Sequence, residues 1–198
     1  MNYLYLSINL LVIGPPLLLS FDKKVHFYTY WKWLFPSMFI TAIGFLLWDE
    51  HFTSEGYWGF NPDYLTGMYL GHLPLEEVLF FVTVPYACVF SYACLNAYFP
   101  LKNKSYPRWA LGLCACLLIA IGVVNFHLPY TSWTFILLGV VFALLAYLPQ
   151  QPWIIPFFRS YLVILPLFLL VNGMLTGTGL DEPIVWYSSD AFAGIRIV

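Results

Sequence analysis

Apolar residues run almost unbroken through six stretches of the chain, at about 3–20, 31–48, 76–98, 108–124, 132–148 and 156–174. Each comes close to the ~20 residues that an α-helix needs to cross the hydrocarbon core of a bilayer. Polar residues gather in the connections. The pattern predicts an all-α fold, a polytopic integral membrane helical bundle with six helices. Pro15, Pro16, Pro36, Pro85 and Pro166 fall inside or near the ends of these runs, which membrane helices tolerate where neighbours satisfy the freed carbonyls. The first run lacks a basic leader and a small-residue cleavage site, so it reads as a retained helix rather than a signal peptide.

The connections alternate in charge. Lys23, Lys24, Lys32, Lys102, Lys104, Arg108 and Arg159 follow odd-numbered helices, whereas Asp49, Glu50, Glu55, Asp63, Glu76, Glu77, Asp181, Glu182 and Asp190 collect at the other end. Basic connections stay on the cytoplasmic side. The expected location is therefore a multi-pass protein of the cell's inner membrane, with the acidic ends and the N-terminus outside the cytoplasm. Composition agrees: 61% of residues are hydrophobic, 9% are charged, and the mean hydropathy is +0.77, against about 25% charged residues in soluble domains. A net charge of −2 gives no footprint for nucleic acid. Cys88, Cys94, Cys114 and Cys116 lie in apolar runs without a C-x-x-C pair and read as inert membrane thiols.

The acidic ends also repeat. Asp49-Glu50 recurs as Asp181-Glu182, and Trp58 followed by Asp63-x-x-x-Gly67 recurs as Trp186 followed by Asp190-x-x-x-Gly194. Both follow an even-numbered helix, so the expected organisation is a tandem parallel repeat, with units at 1–100 and 101–198 and a site between the halves. The second copy is thinner. The register of the first places a proline, a second carboxylate pair and a seventh helix beyond Val198, supplied by further chain or by a partner subunit; the expected assembly is with such a subunit or as a homo-oligomer.

Leu73-Pro74-Leu75-Glu76-Glu77 has the chemistry of a helix start, since proline suits the first turn and acids there interact favourably with the helix dipole. In a soluble helix that would be explanation enough. Here Val78-Leu79-Phe80-Phe81 follow, which brings a carboxyl group close to hydrocarbon, where ionisable residues are costly and mark functional sites. Neighbouring helical residues point about 100° apart, so one glutamate can face the bundle and the other the loop. Asp49 and Asp181 are either solvated acids or site residues, and their recurrence favours the second. His51 and His72 flank the acidic stretch as interfacial residues, without the spacing of a zinc site. No strand-linked G-x-G-x-x-G is present, so no nicotinamide or flavin fold is expected. The aromatics around these acids, among them Trp58, Tyr64, Phe80, Phe81 and Trp186, suit an interfacial belt or a slot whose ring faces stabilise positive charge.

Asp49-Glu50, the stretch from Trp58 to Gly67, Pro74-Leu75-Glu76-Glu77-Val78-Leu79-Phe80-Phe81 and Asn172-Gly173-x-Leu175-Thr176 together resemble the lycopene cyclase domain, over nearly the whole chain. The resemblance implies a membrane enzyme of carotenoid biosynthesis, a lycopene β-cyclase, that closes the linear ends of lycopene into β-ionone rings without a flavin or other cofactor. Substrate and product are isomers. Protonation of the terminal double bond gives a tertiary cation, the neighbouring double bond attacks it, and a proton leaves. The reaction needs a carboxylic acid still protonated near neutral pH, a carboxylate to take the proton back and a dry aromatic pocket. Paired carboxyls in apolar surroundings suit this task. The assignment is Glu77 as principal acid and Glu76 as its partner, with Asp49 and Asp181 as further candidates. Trp58, Tyr64, Phe80, Phe81, Trp186 and Asn172 would contact substrate. The alternatives are a Mg²⁺-dependent intramembrane prenyltransferase-like enzyme, for which no D-x-x-x-D spacing is present, and a non-catalytic carotenoid-binding subunit.

Overall fold

The computed structural model describes residues 3–101 and 105–188. Among them are six α-helices: α1 (Leu4–Leu19), α2 (Trp31–Ser54), α3 (Leu75–Tyr98), α4 (Arg108–Val124), α5 (Pro129–Tyr147) and α6 (Ile154–Leu175). They match the six apolar runs, and the chain is a membrane helical bundle. Four spans are long and apolar enough to cross a membrane: Phe27–Ser54, Leu75–Tyr98, Pro129–Tyr147 and Ile154–Leu175. The other two, α1 and α4, have 16 and 17 residues, which at ~1.5 Å per residue fall short of a core about 30 Å thick.

One boundary needs correction. Asp49 and Glu50 do not lie beyond the second helix but inside it, because α2 continues to Ser54. The helix stops at Gly56, whose φ of 76° is left-handed. The Tyr57 N–H bonds back to the Phe52 carbonyl and the Gly56 N–H to the Thr53 carbonyl, at 3.0 Å each. That is a Schellman ending, with glycine where L-residues are strained. The polar run Asp49-Glu50-His51 imitates a loop in sequence, while the stop signal, Gly56, sits five residues beyond its end.

The acidic connections also hold short strands. Strand β1 (Trp58–Phe60) pairs with β4 (Val185–Tyr187), and β2 (Tyr69–Leu70) pairs antiparallel with β3 (Leu73–Pro74). The register is Tyr69 to Pro74 and Leu70 to Leu73, leaving Gly71 and His72 as the turn. Gly71 has φ +65°, as the first position of a tight type II′ hairpin requires.

By packing, the described residues divide into two compact units, one comprising 3–101 with 156–186, the other chiefly 105–155. In the first, α1 and α2 both pack on α3. Val25, Phe27, Tyr86 and Phe90 form a buried cluster there. Tyr86 is fully buried, and its hydroxyl meets Ser20 Oγ at 2.5 Å and accepts from Trp31 Nε1 at 3.0 Å. In the turn after α1, the Lys24 N–H, helped by the Val25 N–H and the Tyr98 hydroxyl, holds the half-buried Asp22 carboxyl below its ordinary pKa. Arg159 of α6 donates to the Phe99 carbonyl and to Asn96 Oδ1.

The second unit is built on α4 against α5. A Cβ at Gly122 would lie 2.9 Å from the Ser132 carbonyl oxygen, and one at Gly139 would lie 3.1 Å from the Ala115 carbonyl oxygen. The two glycines let the backbones approach, as small residues do between membrane helices, where there is no hydrophobic drive to associate. Arg108 donates to the Ala146 and Tyr147 carbonyls, occupying acceptors left free at the end of α5.

Candidate active site

Glu76 and Glu77 sit in the first turn of α3, after the β2–β3 hairpin has delivered the chain through Pro74. Their helical phase separates them. Glu76 is 1% exposed and its Oε1 accepts the Thr66 N–H at 2.7 Å. Glu77 is half-buried, and its Oε2 accepts the Tyr5 hydroxyl at 2.5 Å. One glutamate thus ties down the loop while the other faces α1, as the 100° offset predicts.

Helix α1 supplies more than apolar packing. Tyr5 and Asn9 lie one turn apart on the same face, and both are 1% exposed. Asn9 Nδ2 donates to the Glu76 carbonyl at 3.0 Å and to the Tyr5 carbonyl at 3.2 Å. Asn9 Oδ1 accepts from Thr83 Oγ1 at 2.7 Å. A buried amide with its donor and acceptor both in use fixes the rotation of α1 against α3. Sequence reasoning missed Tyr5, Asn9, Thr66 and Thr83. The available signal was Asn9, an amide in the middle of an otherwise apolar run, where polar groups join helices.

Helix α2 brings the third carboxyl group. Asp49 is 5% exposed, and its Oδ1 accepts the Trp58 Nε1–H at 2.7 Å. The Trp58 ring stacks on Phe52 at 5.2 Å with an interplanar angle of 9°. Asp49 and Glu77 each lie one turn from the stacked Phe45 and Phe81 rings, at the end of α2 and α3 where Glu50 meets His72. Two buried carboxyl oxygens have no hydrogen-bond partner, Asp49 Oδ2 and Glu76 Oε2. Glu50 points elsewhere. Its carboxylate accepts the His72 N–H, meets His72 Nδ1 at 2.7 Å, and closes over Gly71, where a Cβ would stand 2.7 Å from its Oε1. His72 is therefore a hairpin latch on α2.

The aromatic candidates divide. Phe80 lies 6.2 Å from the Tyr5 ring, and Phe81 stacks on Phe45 at 6.3 Å. Tyr64 is half-buried in a short 3₁₀ turn, Pro62–Tyr64. Trp186 of β4 is 43% exposed, and its ring covers Gly59, where a Cβ would meet Cε2 at 2.6 Å. Asn61 Nδ2 reaches Glu182 Oε2 at 3.0 Å. Asp181 is exposed, and Asn172 is half-buried on α6, where its carbonyl accepts from Thr176; neither has a described bond to the three carboxyls. Asp190, Gly194 and Arg196 lie outside the described residues. Among the described residues no three His, Cys, Asp or Glu gather as metal ligands would.

An apolar helix mouth holding a tyrosine-bound carboxyl group, a second carboxyl group with a free oxygen, and stacked rings can move a proton to and from a hydrocarbon. The lycopene cyclase family model matches residues 2–95 and 127–198 of the chain. Neither curated proteins nor solved structures gave a match.

Proposed function

The chain belongs to the lycopene cyclase family, and from that premise we propose that it is a lycopene β-cyclase, an intramolecular lyase acting by acid–base chemistry alone. The observation that carries this reading is the hydrogen bond that the buried Tyr5 hydroxyl donates to Glu77 at the apolar start of α3, with Asp49 set across from it one turn from the Phe45–Phe81 stack. Glu77 gives a proton to the terminal double bond of lycopene. The cation at the adjacent carbon takes the electron pair of the next double bond, closing the ring, and loss of a proton leaves the β double bond. Atoms and electrons balance within the substrate. Phe80 and Phe81, following Glu77 on the same helix, offer ring faces to the cation. Glu76 holds the 61–68 loop and the start of α3 in place through the Thr66 N–H.

The strands carrying Trp58 and Trp186 lie side by side as β1 and β4. This adjacency supports a duplicated unit whose two acidic ends meet, and the basic residues of the opposite connections support a multi-pass protein with the acidic ends outside the cytoplasm. The test is expression in a lycopene-accumulating host, together with the partner subunit where one completes the enzyme. The expected product is a cyclised isomer of unchanged mass, still formed when membranes are assayed in EDTA. Ring formation lost in EDTA and restored by Mg²⁺ would favour the prenyltransferase-like chemistry. Binding of lycopene without turnover would favour a carotenoid-binding subunit.

A further inference from the structure

We infer that the proton returns to Asp49 rather than to Glu76, so that the acid–base pair spans α2 and α3 instead of lying within the paired glutamates. The inference rests on the cyclase reading and deepens it. Three observations separate the two candidates. Glu76 is committed at both ends: its Oε1 accepts the Thr66 N–H, and its backbone carbonyl accepts from Asn9. Asp49 is held at one oxygen only, by the indole N–H of Trp58, and its Oδ2 is buried without a partner. Although Glu76 also has a bare Oε2, it is Asp49 that stands across from Glu77, the two lying one helical turn from the stacked rings of Phe45 and Phe81 on α2 and α3.

A buried carboxylate oxygen with no donor is costly, and such groups are retained where they serve chemistry. Asp49 Oδ2 is free to accept a proton from carbon, while Trp58 fixes the carboxyl plane through Oδ1. The cycle then closes without a co-reactant. Glu77 loses its proton to the terminal double bond, Asp49 takes one from the ring carbon next to the new cation, and that proton passes from Asp49 to Glu77 before the next turnover. Trp58 is a positioning residue in this scheme. Its ring is stacked on Phe52, itself 4% exposed, so the N–H is aimed by packing.

The test compares Asp49→Asn, Asp49→Glu, Glu76→Gln and Trp58→Phe in the full chain, with the partner subunit where one is needed. Membrane levels and thermal unfolding in detergent are measured alongside. Asp49→Asn is expected to slow ring formation by about 10²–10⁴-fold, as loss of a general base does. Its residual product should shift in ring double-bond position, or carry water added to the cation, because the cation still forms but loses its acceptor. Asp49→Glu should recover part of the rate. Glu76→Gln, which keeps an oxygen for the Thr66 N–H, should slow turnover less and leave the ring type as in the wild type. Trp58→Phe should lower kcat by about tenfold with KM little changed, the sign of an interaction made in the transition state. Folded Asp49→Asn with wild-type rate and ring type would overturn the assignment. So would a shifted ring type in Glu76→Gln and not in Asp49→Asn. A wild-type protein that forms no ring would contradict the cyclase reading, and this assignment with it.

Discussion

Glu77→Gln is expected to lower ring formation by about 10²–10⁴-fold, the usual cost of removing a positioned general acid. Glutamine has nearly the same shape, and its oxygen can still accept the Tyr5 hydroxyl that Glu77 Oε2 accepts now at 2.5 Å. What it lacks is a proton to give to carbon. If Glu77 served only to start α3, the same change would forfeit a helix-dipole contribution of about 0.3–1 kcal/mol and leave turnover nearly intact. The assay is cyclised carotenoid per unit of membrane-embedded protein in a lycopene-accumulating host. Glu77→Asp keeps the acid but withdraws it by one methylene, away from Tyr5, and partial activity is expected. A silent Glu77→Gln together with an inactive Glu76→Gln would reverse the roles of the two glutamates.

The second large effect lies away from the reacting atoms. Asn9→Leu should destabilise the protein by about 1–3 kcal/mol, the cost of leaving a buried polar group unsatisfied. The change leaves Thr83 Oγ1 only its longer bond to the Phe80 carbonyl, at 3.5 Å, and strips the Glu76 carbonyl of its side-chain donor. Activity should fall further than stability does, since Tyr5 one turn away sets the Glu77 carboxyl, and small displacements of a reacting group cost rate steeply. Thermal unfolding in detergent reads the first effect and turnover of the remaining folded protein reads the second. Asn9→Leu with unchanged stability would show that the amide does not hold α1 to α3.

The helices were legible because membrane burial demands long apolar runs, and all six runs became helices at nearly the bounds the pattern gives. The end of α2 was not, because Asp49, Glu50 and His51 look like solvated loop residues until their partners are known. Trp58 and His72 return to this end of α2 from 9 and 22 residues away, and no local pattern reports such a return. The Glu76-Glu77 pair stood out since carboxyl groups beside Val78-Leu79-Phe80-Phe81 are rare. Its division into a buried loop anchor and a tyrosine-bound acid depended on α1, whose register against α3 is set by one amide in an apolar run. Asp49 was visible as a candidate from its recurrence, but its neighbourhood with Glu77 is a tertiary fact. Asp181, its counterpart by sequence, is exposed. The equivalence of the two acidic ends thus rests on the register of the repeat and on the pairing of β1 with β4.

The central claim is that a carboxyl proton is delivered to carbon and a ring closes with no change in oxidation state. Cyclisation of lycopene in D₂O tests it most directly, by the mass of the product. Pre-equilibration in D₂O deuterates the Glu77 carboxyl, so the ring closed in a single turnover should retain one deuterium at the carbon first protonated and be one mass unit heavier, while protons recycled through Asp49 dilute the label in later turnovers. A first ring closed without deuterium by protein pre-equilibrated in D₂O would contradict the account, because that ring would have closed without a proton from the protein.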